Sequence, residues 1–296
     1  MNIPYFGEIL SLLCAIFWAS AVILFRKSGE FTKPFALNLY KNTLASILFI
    51  VTSLLLGQSI LLSAPSRDYL LLIISGFLGI AIADTIYFMS LNMLGAGLSS
   101  IVNCLFNPIV IVLSYFFLNE HLSLVQFLGA FIILSAILIS SLKLPHHTIS
   151  KKNLILGIIL GFISITCTAT SIVMVKPMLQ TSSFLWVTEI RLISGSIIMA
   201  IIALFLPQKR QILRTFRPSK NWKFLLPGSI LGGYFAMMIW VAGIKFTKAS
   251  IATAINQTSV IFVFIFAAIF LKEKFTVRRF VGLIMAFLGI LLITLG

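Results

Sequence analysis

Four ionisable residues lie inside long apolar stretches of the sequence, where a charge is costly. Asp84 stands near the middle of one stretch, Glu189 and Arg191 stand near the start of another, and Lys41 holds the place equivalent to Arg191 in an earlier one. An acid at such depth exchanges a proton, anchors a substrate amine, or pairs with a base on a neighbouring helix. Asp84 and Glu189 are therefore the candidates for substrate binding and proton coupling. For Lys41 and Arg191, we favour snorkelling to the lipid headgroups.

Polar amides form a second group of candidates. Asn103 and Asn256 occupy matching places in two apolar stretches, and Gln257 follows Asn256 directly. An amide at membrane depth either links two helices through hydrogen bonds or faces a water-filled cavity. Both interpretations predict that these side chains point to the interior, and cavity lining is the one we favour.

Aromatic residues at matching depth form a third group. Tyr87 aligns with Trp240 when the two halves of the sequence are superposed, and Trp18, Tyr40 and Tyr234 can line the same space. Such a ring offers an apolar surface to a substrate and carries one polar group for a hydrogen bond. The alternative is a place in the aromatic belt at the membrane surface.

The composition excludes a soluble globular protein. Of the 296 residues, 60% are hydrophobic and 10% are charged, and the mean hydropathy is +1.12. A soluble surface carries far more charge than this. The net charge of +15 does not indicate nucleic-acid binding, because the basic residues occur in short bursts between apolar segments, where they meet lipid headgroups.

The chain divides into ten apolar segments, each close to the roughly 20 residues that a helix needs to cross a bilayer. Gly and Pro residues separate many of them. The sequence therefore predicts an all-α polytopic membrane protein with ten transmembrane helices: Gly7–Phe25, Ala36–Leu56, Tyr69–Leu91, Leu98–Leu118, Leu124–Leu142, Leu154–Val175, Phe184–Leu206, Lys223–Gly243, Ala249–Leu271 and Val277–Leu295.

The second half of the sequence repeats the first. A shift of 153 residues superposes Gly76–Lys143 on Ser229–Gly296, and a shift of 150 residues superposes the earlier segments, including Lys41 on Arg191. Polar and small residues match, which a chance likeness between apolar helices does not predict. The matched pairs include Gly79/Gly232, Asn103/Asn256, Glu120/Glu273 and Gly129/Gly282.

Five helices per repeat is an odd number, so the second repeat must cross the membrane in the opposite direction. We therefore expect two inverted repeats, residues 1–145 and 146–296, related by an axis in the membrane plane. In secondary transporters with such repeats, the substrate binds near the midplane between them.

The repeat also carries a recognisable motif. A helix ends at Phe117-Leu118-Asn119-Glu120, a short turn with Ser123 and Gln126 follows, and Gly129 begins the next helix. The second copy reads Phe270-Leu271-Lys272-Glu273, then Thr276 and Gly282. With Ala96 to Ser100 and Pro108, and with Ala249 to Thr253, this pattern resembles the EamA domain of the drug/metabolite transporter superfamily.

The resemblance implies ten helices around a central cavity lined mainly by helices 1, 3, 4, 6, 8 and 9. It also implies transport, often export, of amino acids, metabolites or drugs. One position departs from the pattern: Pro108 aligns with Ile261, where the family usually repeats the proline. A hinge at Pro108 is therefore expected to have no counterpart in helix 9. Glu120 and Glu273 lie in hairpin turns, where we expect a structural role.

The leading interpretation is a secondary transporter, an exporter or exchanger working by alternating access. The sequence contains no Gly-x-x-x-x-Gly-Lys-Ser/Thr loop for ATP hydrolysis. The alternative is a flippase for lipids or lipid-linked sugars. A membrane-embedded enzyme is disfavoured, because the sequence places no cluster of catalytic residue types inside the membrane.

We expect a small-molecule substrate and membrane lipids as partners, a place in the cell (inner) membrane, and no cofactor, metal or nucleic acid. A homodimer is left open. The odd-numbered loops hold 16 Lys and Arg residues and the remaining loops hold four. The positive-inside rule then places the odd loops in the cytoplasm and both termini outside. The family resemblance instead implies termini inside, so two orientations stay open.

Overall fold

The computed structural model describes residues 5–57, 64–118, 123–141, 150–246, 255–273 and 276–295, and the secondary structure in these ranges is helical. A short helix, Lys209–Arg214, lies between the long helices that end at Phe205 and begin at Trp222. The helices are α1 (Phe6–Ser28), α2 (Pro34–Leu55), α3 (Ser66–Leu94), α4 (Ala96–Asn103 and Phe106–Leu118), α5 (Leu124–Ser141), α6 (Lys151–Thr181), α7 (Phe184–Phe205), α8 (Trp222–Gly228, Ser229–Phe235 and Ala236–Phe246), α9 (Ser259–Leu271) and α10 (Val277–Leu295).

Within the described ranges, each predicted apolar segment overlaps one of these helices, which confirms an all-α polytopic membrane protein. Seven helices in the described ranges, α1 to α4 and α6 to α8, are long and apolar enough to cross a bilayer. The apolar stretches of α5 and α9, Leu124–Ser140 and Ser259–Leu271, are shorter. Large apolar side chains such as Phe116, Phe117 and Phe127 point outward and stay exposed, as lipid contact requires.

Helices α2 and α7 hold equivalent places in the two repeats and run antiparallel against each other. The hydroxyls of Ser46 and Ser196, which are 150 residues apart, lie 3.2 Å from each other, and Ser53 reaches Glu189 at the other end of the contact. A contact between two equivalent residues marks a local two-fold axis. Because equivalent helices point in opposite directions here, this pairing has the geometry that an inverted repeat requires.

Contacts away from the axis follow the same symmetry. The thiol of Cys14 on α1 donates to the carbonyl of Ala236 on α8 at 3.1 Å. The hydroxyl of Ser164 on α6 donates to the carbonyl of Ala83 on α3 at 2.8 Å. The two contacts are equivalent, because the 150-residue shift places Cys14 on Ser164 and the 153-residue shift places Ala83 on Ala236. The repeats therefore share their packing as well as their sequence.

Both repeats have a widened turn in their third helix. The π-helical segments Gly76–Ala83 in α3 and Ser229–Phe235 in α8 start 153 residues apart. Such segments shift the register of the side chains that follow, and they occur frequently at functional sites. In α3 the first residue after the π-helix is Asp84.

The fourth helix of each repeat is interrupted, and the expectation that α9 lacks a counterpart of the Pro108 hinge is wrong. The α4 interruption lies at Cys104–Leu105, and a turn at Gln257–Thr258 precedes α9, again 153 residues later. In the second repeat, the Thr258 hydroxyl donates back to the carbonyl of Ile255 at 2.6 Å. An interruption therefore occurs at the equivalent position without a proline.

Helices α5 and α10 pack closely through glycines that lack side chains. A Cβ atom added at Gly129 would lie 2.6 Å from the carbonyl oxygen of Gly289, and one at Gly289 would lie 2.7 Å from that of Gly129. Small residues allow this approach, which strengthens packing between helices in lipid.

We expect Gly129→Ala to lower the free energy of unfolding by about 1–3 kcal/mol, because the added methyl group forces the two helices apart. The higher helix propensity of alanine alone would raise the free energy of unfolding by about 1 kcal/mol. The sign of the measured change therefore shows whether the close contact or the helix propensity dominates. Thermal unfolding of the purified protein in detergent measures it. The control is Ser135→Ala on α5, whose hydroxyl bonds only to its own helix. A stabilised Gly129→Ala protein would contradict the described contact.

Candidate functional site

An ion pair joins α2 and α3 inside the membrane-spanning region. The Lys41 ammonium lies 2.5 Å from the Asp84 carboxylate, and the two side chains are 8% and 29% exposed. The ammonium also lies over the ring of Phe88, 5.5 Å from its centroid. The snorkelling expected for Lys41 is therefore wrong: the side chain turns inward, because Asp84 offers a charged partner at the same depth.

Two asparagines on the same face of α2 fix the position of this pair. The Asn38 amide donates to the carbonyls of Ile80 and Ala81, at 2.8 and 3.3 Å, in the π-helical part of α3. Asn42 donates to the Asn38 side chain at 2.7 Å. The sequence interpretation missed these two residues. The signal was present, since residues 38, 41 and 42 have the spacing of one helix face.

In the second repeat, Arg191 occupies the position of Lys41 and makes different contacts. Its terminal Nη2 donates to the hydroxyl of Ser171 on α6 at 3.1 Å, and within the described residues its Nε atom has no hydrogen-bond partner. Glu189, 1% exposed, accepts a hydrogen bond from Ser53 at 2.9 Å. Glu189 and Arg191 thus point in different directions, as their spacing predicts. Arg191 contacts the neighbouring helices, so its expected snorkelling is also wrong.

The structure brings together some of the predicted aromatic residues and separates others. Trp18 and Tyr87 pack against the same buried cluster of α1, α2, α3 and α9. Tyr40 belongs to this cluster too, and its ring packs edge-to-face against Trp222, with ring centroids 5.6 Å apart. Tyr234 turns to α2, where its hydroxyl lies 2.5 Å from that of Thr52. Trp240, the equivalent of Tyr87, is partly buried on α8.

The predicted amides lie at the interrupted parts of α4 and α9. Gln257 donates to the side chain of Asn107 at 3.2 Å, which links the two repeats at this point. Within the described ranges, the Nδ2 atom of Asn107 and the Oδ1 atom of Asn256 are buried without hydrogen-bond partners. Asn103 is partly buried at the end of the first α4 segment. The sequence interpretation missed Asn107, although it follows Asn103 by one helical turn.

Two cavities open at the end of the bundle that carries the odd-numbered, Lys- and Arg-rich loops. We call the larger one, of about 750 Å³, the vestibule; the smaller has about 520 Å³ and includes Thr85, next to Asp84. Both include Pro34 and Met89. The vestibule is lined by Arg26, Pro34, Met89, Asn92, Met93, Leu94, Gly95, Ser150, Asn153, Leu271, Lys272, Glu273 and Arg279.

Glu273 has a structural contact, as predicted from the motif. Its carboxylate accepts hydrogen bonds from the backbone N–H groups of Ala96 and Gly97, at 2.7 and 3.1 Å, at the start of α4. Gly95, with φ +79°, makes the sharp turn that presents these groups, and a Cβ there would lie 2.7 Å from the carboxylate. The equivalent Glu120, the His146-His147 pair and Ala249 to Thr253 lie outside the described residues.

We expect Asp84→Asn to lower the free energy of unfolding by about 1–3 kcal/mol, because it leaves the buried Lys41 ammonium without a counter-charge. The double variant Lys41→Met/Asp84→Leu removes both charges and should be more stable than Asp84→Asn. Unfolding by sodium dodecyl sulfate in mixed micelles gives both values. Glu30→Gln is the control, since Glu30 is exposed and has basic groups at 3.6 and 3.8 Å. Equal losses for Asp84→Asn and Glu30→Gln would contradict a buried pair.

Comparisons with known proteins agree with the fold and the repeat. A protein from Archaeoglobus fulgidus, described as an uncharacterized transporter, is 25% identical over 290 residues, which cover 97% of each chain. A solved structure, described only as the crystal structure of a protein, has a TM-score of 0.69 at 14% identity, over 98% of this chain and 96% of that one, and shows likeness of fold. A model of the EamA-like transporter family matches residues 5–142 and again residues 155–295. Because that model covers nearly the whole chain in two copies, the chain belongs to the EamA-like transporter family.

Proposed function

We propose that this membrane transporter of small solutes is a secondary active transporter. It works by alternating access in the cell membrane, exports or exchanges its solute, and couples transport to protons through Asp84. The two repeats provide the mechanical basis. Their packing is related by a two-fold axis, so rocking one repeat against the other exchanges the open and closed ends of the bundle. The interruptions in α4 and before α9 supply places where each helix can bend.

The observation that carries this proposal is the Lys41–Asp84 pair. A structural protein gains little from a charge pair inside the membrane, because desolvation offsets most of the attraction. The Asp84 side chain is 29% exposed and adjoins Thr85, which lines the smaller cavity. A partly exposed carboxylate paired with a buried cation can accept a proton, and protonation would release Lys41.

Glu189 is the second candidate for the proton site, and its surroundings differ. It is 1% exposed, and its Oε2 atom accepts the hydrogen bond from Ser53 within the α2–α7 contact. This position lies in the interface between the repeats, so a change there would act on the repeats themselves. Asp84 and Glu189 can therefore be separated by substituting each in turn.

We expect Asp84→Asn to abolish the response of transport to a pH gradient while leaving solute binding and solute–solute exchange in place. Proteoliposomes loaded with radiolabelled solute, identified by thermal-shift screening of amino acids, nucleosides, cations and phospholipid precursors, measure efflux with and without an inward proton gradient. Glu189→Gln and Glu30→Gln should keep the response. Gradient-driven efflux from Asp84→Asn vesicles at the wild-type rate would eliminate Asp84 as the coupling residue.

The same vesicles test the flippase alternative. Wild-type protein should leave the rate of exchange of fluorescent phospholipid between leaflets at the level of protein-free vesicles. Rapid lipid exchange without solute flux would overturn the proposed solute transport.

A further inference from the structure

Within the described residues, the side chains that line the vestibule carry an excess of positive charge. Four of its lining side chains are charged: Arg26, Lys272, Glu273 and Arg279. The Glu273 carboxylate accepts hydrogen bonds from two N–H groups at the start of α4 and also attracts Arg279, so one negative charge faces three positive ones. Arg26 has a carboxylate only at 3.8 Å, from the exposed Glu30, so its charge is weakly compensated. The vestibule therefore attracts anions.

Arg279 is the charge in this cavity that most needs a partner. It is 5% exposed, although it lies in the first turn of α10 at the mouth of the bundle. Its backbone N–H is directed to the Thr276 hydroxyl at 3.4 Å. Its side-chain Nε atom is buried and has no hydrogen-bond partner in the described part of the chain. A buried guanidinium N–H without an acceptor is destabilising, and an anionic ligand would satisfy it.

The remaining walls show what kind of molecule would fill the space. Met89, Met93, Leu94 and Leu271 form an apolar side, and the Asn92 and Asn153 amides provide neutral polar groups. A volume of about 750 Å³ suits a small organic molecule. A guanidinium binds carboxylates and phosphates through paired hydrogen bonds, which neutral or cationic groups do not offer.

We propose that the vestibule binds the carboxylate or phosphate of a small organic anion with an apolar body, and that Arg279 is its anchor. The inference rests on the proposed transport function in one respect: the bound anion is taken to be the class of solute transported. An anionic lipid headgroup presents the same chemistry. The accessible cavity volume and its neutral amides favour the free solute.

The test uses three probes with the same indole ring and different charges: indole-3-acetate, indole-3-acetamide and tryptamine. Binding of each to purified protein in neutral detergent is measured by microscale thermophoresis and by thermal shift. Wild-type protein should bind indole-3-acetate and be stabilised by it, with much weaker effects of the other two. Arg279→Gln should weaken indole-3-acetate binding by about tenfold to a hundredfold, the value of one or two charge-assisted hydrogen bonds. Arg279→Lys should recover part of the loss.

Arg278→Gln is the matched control, because this neighbouring residue is exposed and does not line the vestibule. It should bind indole-3-acetate as the wild type does. Equal binding of the three probes, preference for tryptamine, or unchanged binding in Arg279→Gln would overturn the proposal. Nanodiscs of phosphatidylglycerol and of phosphatidylcholine distinguish a lipid headgroup from a free anion as the occupant. If only phosphatidylglycerol displaces indole-3-acetate, and vesicles show no flux of the anion, the site is reassigned to lipid.

Binding in detergent needs neither a gradient nor a sealed membrane. If the wild-type protein transports a solute but binds the three indole probes equally, the anion site is refuted and the transport function is not. Intact anion binding without flux of any tested solute would refute the transport function alone.

Discussion

A charge inside a bilayer must find its partner within the protein, and this constraint governs how the helices of this transporter meet. The Asp84 carboxylate is held by the Lys41 ammonium at 2.5 Å. That contact requires α2 and α3 to meet at one depth and one rotation, which Asn38 secures through the carbonyls of the π-helical segment. A π-helical segment leaves backbone carbonyls in need of donors, and lipid cannot supply them. The ion pair and the widened turn therefore depend on the same face of α2.

The symmetric scaffold carries asymmetric chemistry. Packing contacts such as Cys14 to Ala236 and Ser164 to Ala83 are repeated in both halves, because both must fit together through the same small residues and carbonyls. The acidic residue breaks this symmetry, since Asp84 has Met237 as its equivalent. The basic residue is kept, since Lys41 has Arg191 as its equivalent. Asp84 pairs with Lys41, whereas the Arg191 guanidinium donates to the Ser171 hydroxyl.

The parts of the structure that follow from one-dimensional patterns could be predicted from the sequence. Apolar length locates the helices, and the 150- and 153-residue shifts locate equivalent contacts. The direction in which each side chain points could not be predicted, because an apolar helix has no clear polar face from which to read its rotation. Lys41 was expected at the headgroups and is paired inside. Tyr234, expected to line the same space as Tyr87, turns to Thr52 on α2 instead. The turn before α9 was missed because no proline marks it in the sequence.

The basic residues that set the topology also affect what the transporter encounters. Both described cavities open at the end of the bundle with the odd-numbered loops, which carry 16 of the Lys and Arg residues. Clustered charge of one sign raises the local concentration of counter-ions at a cleft. This electrostatic effect falls off over about 8–10 Å at physiological salt. The vestibule lies within that distance of its own Arg26, Lys272 and Arg279, so the loops and the cavity act on an anion in the same direction. If the positive-inside rule holds for this chain, this face collects solute from the cytoplasm, which is the arrangement an exporter needs. Orientation and the proposed substrate charge are thus coupled: the same arginines and lysines that hold one face inside would select the solute that enters the transporter there.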